Sequence, residues 1–594
     1  MESNSKSTWN KSNILEKELA FDLNLTIYAL ILWFSSLLLT GYAVYTANQS
    51  IQIPLVHLLN NFSLYQNDPF GATLPYYSSM LWRVVAFANR LIPLEPLLIV
   101  LFLLERFLVI YAAGYLAQTF VSNSRLAVIG GMALFALAPN SIIGHGDFFT
   151  NYFEQTGLTI PFLLLGIASF YKSRTILWAV WIAIAFNLNS MYATYSLTYF
   201  GAIFFIDPAY RREWKRWFIS LGLFLLIASP NILLTASAFG RKAGDSKLWL
   251  LTSQVRFPHH LYPLTWNPFS YLKFGILLFL FVAFLYQNRA KFEKLFRHGL
   301  IWTGVCLMWL VYAFVAAYVA KSPPMLVMHP GRATDLWYCF AGIAIISGCA
   351  FKVEAGKTRQ AFLEAALIAG VLIAVLTSAL APTSLGLYVM LAGVIAIAWQ
   401  PAWNYIYSQG NDRRLGLLLT LWVFLVGAGA FSSRFKSTSN VKAAFINSPY
   451  GEMRQLGDWA STQTPVNALF LVNPEWEHFR SLSKRPVFVT WKDSAAILWD
   501  RTYVKNWVER LRALGFDVTQ QEQTTLAEDR TNKSSILQGE LREKLSSLYD
   551  NLNDEDVKKL KGEFFIRYWI VPIEKSSNLP VVFKNKKFKI LEVR

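Results

Sequence analysis

The sequence is poor in charged residues and in cysteine. Charged residues make up 15% of the 594 residues, well below the roughly 25% of soluble globular chains. The three cysteines, Cys306, Cys339 and Cys349, lie in or beside apolar segments and show neither a disulfide framework nor a zinc-ligand spacing. Phosphate-cradling glycine loops, dinucleotide motifs and Ser-His-Asp arrangements are missing from the sequence, as are nucleic-acid-binding motifs. The net charge of +18 is therefore assigned to cytoplasmic loops and lipid headgroups, not to nucleic acid.

Long apolar segments are what the sequence does contain, and they predict an α-helical polytopic membrane protein. Two of them, 176–188 and 192–206, are short, and their connection NLNSM at 187–191 is expected to face a cavity. The thirteen segments lie at about 25–46, 96–120, 126–143, 157–171, 176–188, 192–206, 217–237, 271–287, 299–319, 335–351, 361–380, 385–399 and 415–432.

Basic residues predict the orientation of these helices. Residues 1–24 are polar and lack the features of a cleaved signal peptide, so they are expected to form a cytoplasmic segment before a retained first helix. Alternate loops are then basic, as expected of cytoplasmic loops, and the long loop 47–95 lies outside. The odd helix count places residues 433–594 on the extracytoplasmic face of a bacterial-type plasma membrane.

Residues 433–594 are polar and are predicted to form a small α/β domain outside the transmembrane domain at 25–432. Short β-like runs occur at 467–472, 486–491, 564–572, 580–583 and 587–593, with helical patterns between them. The stretch 518–562 is rich in charged and amide residues and indicates a solvated helix or a partly disordered insertion.

The long outer loop 47–95 carries the leading catalytic candidate, Asp68, in the sequence YQNDPFG. Apolar residues at helical spacing on both sides predict two helices lying in the membrane interface. A partly desolvated carboxylate at that level can act as a general base. The alternative is that Asp68 and Pro69 simply begin a turn.

Two other sets of ionisable residues are candidates for functional roles. In the second outer loop, His145, Asp147 and Glu154 have oxygen and nitrogen ligands suited to a divalent cation, Mg or Mn, although a solvated loop also explains them. Glu105 and Arg106 lie inside the second apolar segment, where ionisable groups are costly and usually face an interior cavity. Snorkelling, or a partner on another helix, is the alternative.

The later outer loops carry cations. Arg332, with His329, stands at the start of a helix, and Arg256 precedes His259 and His260 in VRFPHH. An arginine at the mouth of a membrane cavity suits a phosphate, through charge-assisted hydrogen bonds. Contact with lipid headgroups is the alternative.

Taken together, these features resemble the GT-C superfamily of membrane glycosyltransferases, most clearly over residues 20 to 240. The resemblance implies a general base at Asp68, a metal- or acceptor-binding acid at Asp147 or Glu154, and a carrier-phosphate contact at Arg332. It also implies transfer of a sugar from a polyprenyl-phosphate carrier to an acceptor glycan, lipid or protein on the extracytoplasmic face.

Alternative functions stay open at this point. A transporter or flippase of a lipid-linked solute would use Glu105 and Arg106 along its path. A catalytically inactive GT-C-like assembly protein would use its outer domain to bind a partner. A repeat-unit polymerase is less compatible, since it would more naturally carry a large central outer loop.

Overall fold

The computed structural model describes residues 23–122, 124–137, 143, 150–239, 244–356, 451–521 and 534–594. Within this part, the chain has a mostly helical membrane architecture followed by a small C-terminal α/β region, which confirms the predicted fold class.

Ten of the predicted apolar segments correspond to helices. These are Leu23–Thr40, Leu94–Phe120, Arg125–Leu137, Gln155–Tyr171, Thr175–Leu188, Ser190–Ile206, Trp214–Phe239, Pro268–Gln287, Glu293–Phe314 and Thr334–Gly356. By length and composition five stretches can cross a membrane: Leu94–Phe120, Trp214–Ser237, Pro268–Gln287, Glu293–Val319 and Pro323–Glu354. The predicted segments at 361–380, 385–399 and 415–432 lie outside the described residues, so the count of thirteen stays a prediction.

Small residues let neighbouring helices approach closely. A Cβ on Gly131 would lie 2.7 Å from the Cβ of Ala117 and 3.2 Å from the carbonyl oxygen of Ala113. Helices Leu94–Phe120 and Arg125–Leu137 therefore pack backbone to backbone, as is common where small residues line a membrane interface.

The long outer loop contains the two predicted helices, Gln49–Asn60 and Met80–Asn89, joined through the 3₁₀ helix Gly71–Tyr76. The second exposes Val84 and Phe87, by 61% and 65%, as expected of a helix at the membrane surface. The first is different: nine of its twelve residues are buried.

The C-terminal region holds a four-stranded mixed sheet. Its strands are β1 (Leu469–Leu471), β2 (Ile566–Pro572), β3 (Val581–Lys584) and β4 (Phe588–Glu592), in the order β1-β2-β4-β3. β1 and β2 are parallel, whereas β4 is antiparallel to both β2 and β3. Its helices are Gly451–Gln463, Phe479–Ser483, Tyr503–Ala513, Ser534–Asp550 and Asp554–Phe564, with 3₁₀ helices at Trp491–Leu498 and Val518–Gln520.

Two expectations for this region need correction. The run 486–491 was expected as a strand but makes only an isolated bridge, Phe470 to Val487, before the chain turns into Trp491–Leu498. The stretch 518–562 is helical where it is described, but one helix face packs into the core instead of facing solvent. Leu545 and Val557 are fully buried there.

The C-terminal region packs directly on the outer loops of the transmembrane part. One buried apolar cluster joins Phe70 and Trp82 of the first loop, Trp249, and Trp491 and Trp507 of the C-terminal region. Two indole N–H groups find acceptors across the contact: Trp249 donates to the Ile497 carbonyl (2.9 Å) and Trp499 to that of Thr73 (3.1 Å). Burial of aromatic surface with satisfied N–H groups fixes how the two parts meet.

Candidate functional site

A cavity of about 440 Å³ lies where the outer loops meet the C-terminal region. Polar residues of the outer loops and of the C-terminal region line it. They are Asn48 and Tyr77 of the first loop, Glu154, Gln155 and Thr156 of the second, Arg256, His259, His260, His329 and Arg332 of the later loops, and Lys492 and Arg501 of the C-terminal region. Asn189 and Ser190 also line it, so the NLNSM connection faces a cavity as predicted.

The segment that carries His329 and Arg332 is held by one face of the helix Ser190–Ile206. Tyr195 donates to the backbone carbonyls of Met328 and His329, the latter at 2.9 Å, and Tyr199 donates to that of Ala333 at 3.0 Å. The spacing of these tyrosines places them on the same side of the helix. Their hydroxyls therefore fix the backbone next to Arg332.

One further tyrosine of the same helix reaches an acidic group. Tyr192 donates to the Asp335 carboxylate at 2.8 Å, and both side chains are buried. Arg332 itself lies 3.4 Å from the ring nitrogens of His260. The late loop thus presents its arginine from a rigid, hydrogen-bonded frame.

Arg256 is nearly buried and belongs to both parts of the structure. Its Nε donates to the Ser494 hydroxyl at 2.8 Å and to the Trp491 carbonyl at 3.3 Å. Its guanidinium carbon lies 5.3 Å from the centroid of the Trp491 ring, a cation–π geometry. Burial lowers the pKa of Arg256 to about 10, so the side chain stays a cation at neutral pH.

Glu154 is the carboxylate that faces the cavity. Its Oε1 accepts from the Asn48 side chain at 3.1 Å and from the Thr156 hydroxyl at 3.2 Å. The side chain is 6% exposed, and it stands just before the helix Gln155–Tyr171. A partly desolvated carboxylate among hydrogen-bond donors, with access to a cavity, has the setting of a general base.

Glu105 and Arg106 lie behind the cavity and are not among its lining residues. Glu105 accepts from the backbone N–H of Glu154 at 3.3 Å, and Arg106 donates to the carbonyl of Thr150. A Cβ on Gly157 would overlap the Glu105 carboxylate, so this glycine makes room for the contact. Both ionisable groups support the backbone that presents Glu154.

The structure places Asp68 away from the cavity lining. Its carboxylate is 1% exposed and accepts from Arg480 Nε at 2.7 Å, from the Phe70 N–H at 3.0 Å and from the Val487 N–H at 3.3 Å. A buried carboxylate held by three donors is poorly placed to accept a proton from a substrate. Its position favours anchoring of the C-terminal region, and the predicted role as a base is without support from the geometry.

The site's composition was only partly predictable. Arg256, Arg332, His329 and Glu154 come together as expected of one site, whereas Lys492 of the C-terminal region was missed. Its sequence context, VTWKD, reads as the end of a strand, and nothing in the sequence indicates that this turn reaches the transmembrane part. Burial lowers the pKa of the Lys492 ammonium to about 8.

The predicted metal ligands His145 and Asp147 lie outside the described residues. Among the residues that the structure describes, no group of three or more His, Cys, Asp or Glu side chains is placed to hold a metal ion. The expectation of Mg or Mn therefore stays untested.

Comparison with known proteins gives one family match and a set of structural similarities. Residues 451–514 match the model of a domain of unknown function (DUF6798). The chain is similar to the crystal structure of ArnT from Cupriavidus metallidurans bound to undecaprenyl phosphate, with 11% identity, a TM-score of 0.42 and 99% of each chain covered. The apo structure of the same protein gives 12% identity and a TM-score of 0.37, with 96% of this chain and 97% of that chain covered. No curated protein matches the chain.

Proposed function

We propose that the protein is a membrane glycosyltransferase that takes a sugar from a polyprenyl-phosphate carrier and passes it to an acceptor on the extracytoplasmic face. The observation that carries this proposal is the charge arrangement of the cavity: Glu154 faces a lining that also contains Arg256, Arg332 and Lys492. Such a lining suits a phosphate together with a hydroxyl that must lose a proton.

Each side chain has a separate task in this reaction. The acceptor hydroxyl oxygen attacks the anomeric carbon of the carrier-linked sugar, and its proton passes to Glu154. The bond between the anomeric carbon and the phosphate oxygen breaks, and the polyprenyl phosphate leaves with the bonding electrons. Arg332 and Arg256 stabilise the negative charge that develops on that oxygen. His329 lies on the same backbone segment as Arg332, which the tyrosines of the helix Ser190–Ile206 hold in place.

A transporter receives less support. Its predicted path residues, Glu105 and Arg106, make internal contacts and do not line the cavity. The orientation of the chain in the membrane stays a prediction from the sequence.

Two measurements test the proposal. The first measures binding by native mass spectrometry. Purified protein in detergent is expected to bind a polyprenyl phosphate in preference to the uncharged polyprenol of the same length.

The second measures function in cells. Cells lacking the gene are complemented with the wild type, E154Q or E213Q, and their envelope glycans are compared.

Cells with E154Q are expected to show the glycans of cells that lack the gene. The reason is that loss of a general base slows transfer by about 10²- to 10⁴-fold. E213Q is the matched control, since Glu213 is 44% exposed in a surface pair with Arg216. Equal binding of polyprenol and polyprenyl phosphate would refute a phosphate site. Unchanged glycans with E154Q would refute the assigned base.

A further inference from the structure

The C-terminal region does more than cover the outer loops, because it forms one wall of the cavity. Lys492, Ala495 and Leu498 of the 3₁₀ helix Trp491–Leu498, together with Trp499 and Arg501, are lining residues. All five belong to the stretch matched by the domain of unknown function. That match assigns no role to any of them.

The side chain of Lys492 lies in the cavity lining, whereas those of its two sequence neighbours are buried in the interior. Trp491 and Asp493 are 1% and 2% exposed, and both are engaged in the interior. Lys492, in contrast, lines the cavity and makes no hydrogen bond or ion pair with any residue in the described part of the chain. An ammonium group in a lined cavity, with its donors unused by the protein, is available to an anion.

The backbone on both sides of Lys492 is fixed by polar contacts. The Asp493 carboxylate accepts from the Thr490 N–H at 2.9 Å, and the Thr490 side chain accepts from the Asp493 N–H, which completes a capping box. The Thr490 hydroxyl also donates to the Asp493 carboxylate at 2.8 Å. The Ser494 hydroxyl and the Trp491 carbonyl accept from Arg256, which lines the same cavity. The turn therefore cannot shift without disturbing a second cation of the site.

A buried ion cluster secures this turn to the first outer loop. Arg480 donates through Nη1 and Nη2 to the two oxygens of Asp493, at 2.7 and 2.9 Å, and through Nε to Asp68 at 2.7 Å. Its guanidinium carbon lies 4.4 Å from the centroid of the Phe70 ring. Bidentate pairing fixes direction as well as distance, so the loop carrying Asp68 sets the position of the residue next to Lys492.

From these contacts we infer that Lys492 binds the anionic group that occupies the cavity, and that Asp68, Arg480 and Asp493 are positioning residues for it. The C-terminal region is then part of the ligand site. This inference rests on the proposed function for the identity of the anion, a lipid-linked phosphate. It differs from that proposal in assigning substrate contact to a domain outside the transmembrane part.

Charge distribution supports a phosphate over a neutral sugar as the contact of Lys492. Arg256, Arg332 and Arg501 line the same cavity, and four cations around one small volume repel each other. Glu477 and Glu154 act on Lys492, and Asp335 and Glu154 act on Arg332. Of these three carboxylates, Glu154 is the one among the lining residues. A phosphate bound in the cavity reduces the repulsion among these lining cations.

The test measures binding of a polyprenyl phosphate and of the uncharged polyprenol to the purified full-length protein in detergent. The variants are K492Q, K492R and K505Q, the last as a control because Lys505 is 75% exposed on the same region. K492Q is expected to weaken binding of the phosphate by about 10- to 100-fold, since a charge-assisted hydrogen bond is lost. Binding of polyprenol and the melting temperature are expected to stay within error, and K492R is expected to recover most of the affinity.

Three results would count against the inference. K492Q with wild-type affinity for the phosphate would refute the contact while leaving the proposed function intact. K492Q with an equal loss for polyprenol would show a structural role only. A wild type that does not prefer the phosphate would refute both the inference and the proposed function.

Discussion

Asp68 and Arg480 are 412 positions apart in the sequence and form an ion pair of 2.7 Å in which both side chains are 1% exposed. The pair joins the first outer loop to the C-terminal region. Burial alone would lower the pKa of Arg480, but the neighbouring carboxylates Asp493 and Asp68 raise it above its usual value. The guanidinium is therefore charged at every accessible pH, and loss of Arg480 would leave the buried carboxylates of Asp68 and Asp493 uncompensated.

The variants D68N and R480M are both expected to lower the melting temperature in detergent, R480M more than D68N. R480M should lower the free energy of unfolding by about 3–5 kcal/mol, the cost of breaking a buried pair. D68N should cost less, because Arg480 keeps its bidentate pair with Asp493. D458N is the control, because Asp458 is exposed on the same region. Folded D68N should bind polyprenyl phosphate more weakly than the wild type and polyprenol equally well, because Asp68 helps to position the turn that carries Lys492.

A catalytic Asp68 would give a different pattern. D68N would then abolish transfer with no loss of melting temperature, while R480M would be unstable but active in proportion to its folded fraction. That outcome would restore the base at Asp68 and remove it from the positioning residues.

Site residues were predictable where the signal lay in the neighbouring sequence, and were missed where it depended on a contact between distant segments. Arg332 and Glu154 stand at helix starts beside apolar segments, so their approximate depth followed from hydropathy. Asp68 was found for the same reason, but its partner Arg480 lies in another domain, and one sequence contains no record of that contact. Hydropathy places a residue along the membrane normal and does not say which side chains it meets.

The transmembrane helices were predictable for a related physical reason. A bilayer demands long apolar segments with internally satisfied backbones, so composition alone locates them. The C-terminal region is not subject to this requirement of the bilayer, so its composition does not locate its elements. Its run PVFVTW has strand propensity, yet the Thr490–Asp493 capping box turns the chain into a 3₁₀ helix at that point. A side-chain contact of that kind overrides propensity.

Substitution of Arg332 should distinguish bidentate phosphate binding from simple charge. R332K keeps the charge and loses the planar fork, and R332Q loses both. If Arg332 stabilises the leaving phosphate, R332Q should slow transfer by about 10²- to 10³-fold, as for a lost oxyanion donor, with R332K intermediate. R297K is the control, on a half-exposed arginine that is not among the lining residues of the cavity. Full activity of R332K would show that charge alone suffices.

Tyr195 should act through the late loop without touching the ligand. Y195F leaves the Met328 and His329 carbonyls without their hydroxyl donor, which costs about 1–3 kcal/mol when the groups are buried. We expect a lower melting temperature and several-fold weaker binding of polyprenyl phosphate. Y286F, at an exposed tyrosine, should change neither. Normal stability and binding in Y195F would mean that the loop is held by other contacts.

Gly157 provides a steric test of the support behind Glu154. G157A would place a methyl group against the Glu105 carboxylate and displace the Glu105 contact with the Glu154 backbone. Overpacking of this kind typically costs about 1–3 kcal/mol, measured as a lower melting temperature, together with reduced transfer. G201A is the matched control, since nothing lies within 4 Å of a Cβ at that helical glycine. Equal behaviour of the two variants would argue against the close approach.

The pKa of Lys492 predicts how binding of polyprenyl phosphate depends on pH. With a pKa near 8, the ammonium is mostly protonated in the free protein at pH 7, so Lys492 adds no pH dependence to the affinity below that pH. Above pH 8 the free protein loses this proton, and binding must take it up again. Affinity should therefore fall, by up to tenfold per pH unit, until the pKa of the bound state is reached.

Other charged groups around Lys492 do not produce the same fall. The groups that face it are Glu154, Arg256, Arg332, Glu477 and His478. Burial lowers the pKa of His478 to about 4, so this ring is neutral from pH 6 to pH 9, and Arg256 titrates near 10. Glu477, whose pKa burial raises, is a carboxylate, and its protonation would act on the acid side of the profile.

K492R is therefore expected to bind polyprenyl phosphate with a flat profile from pH 7 to pH 9, because a guanidinium stays protonated over that range. K505R is the control and should keep the wild-type fall. Isothermal titration in two buffers of different ionisation enthalpy would count the protons taken up at pH 8.5, with a net uptake in the wild type that is absent in K492R. The same fall in both proteins would assign the titration to a group other than Lys492, and no fall in either would mean that the ammonium keeps its proton throughout.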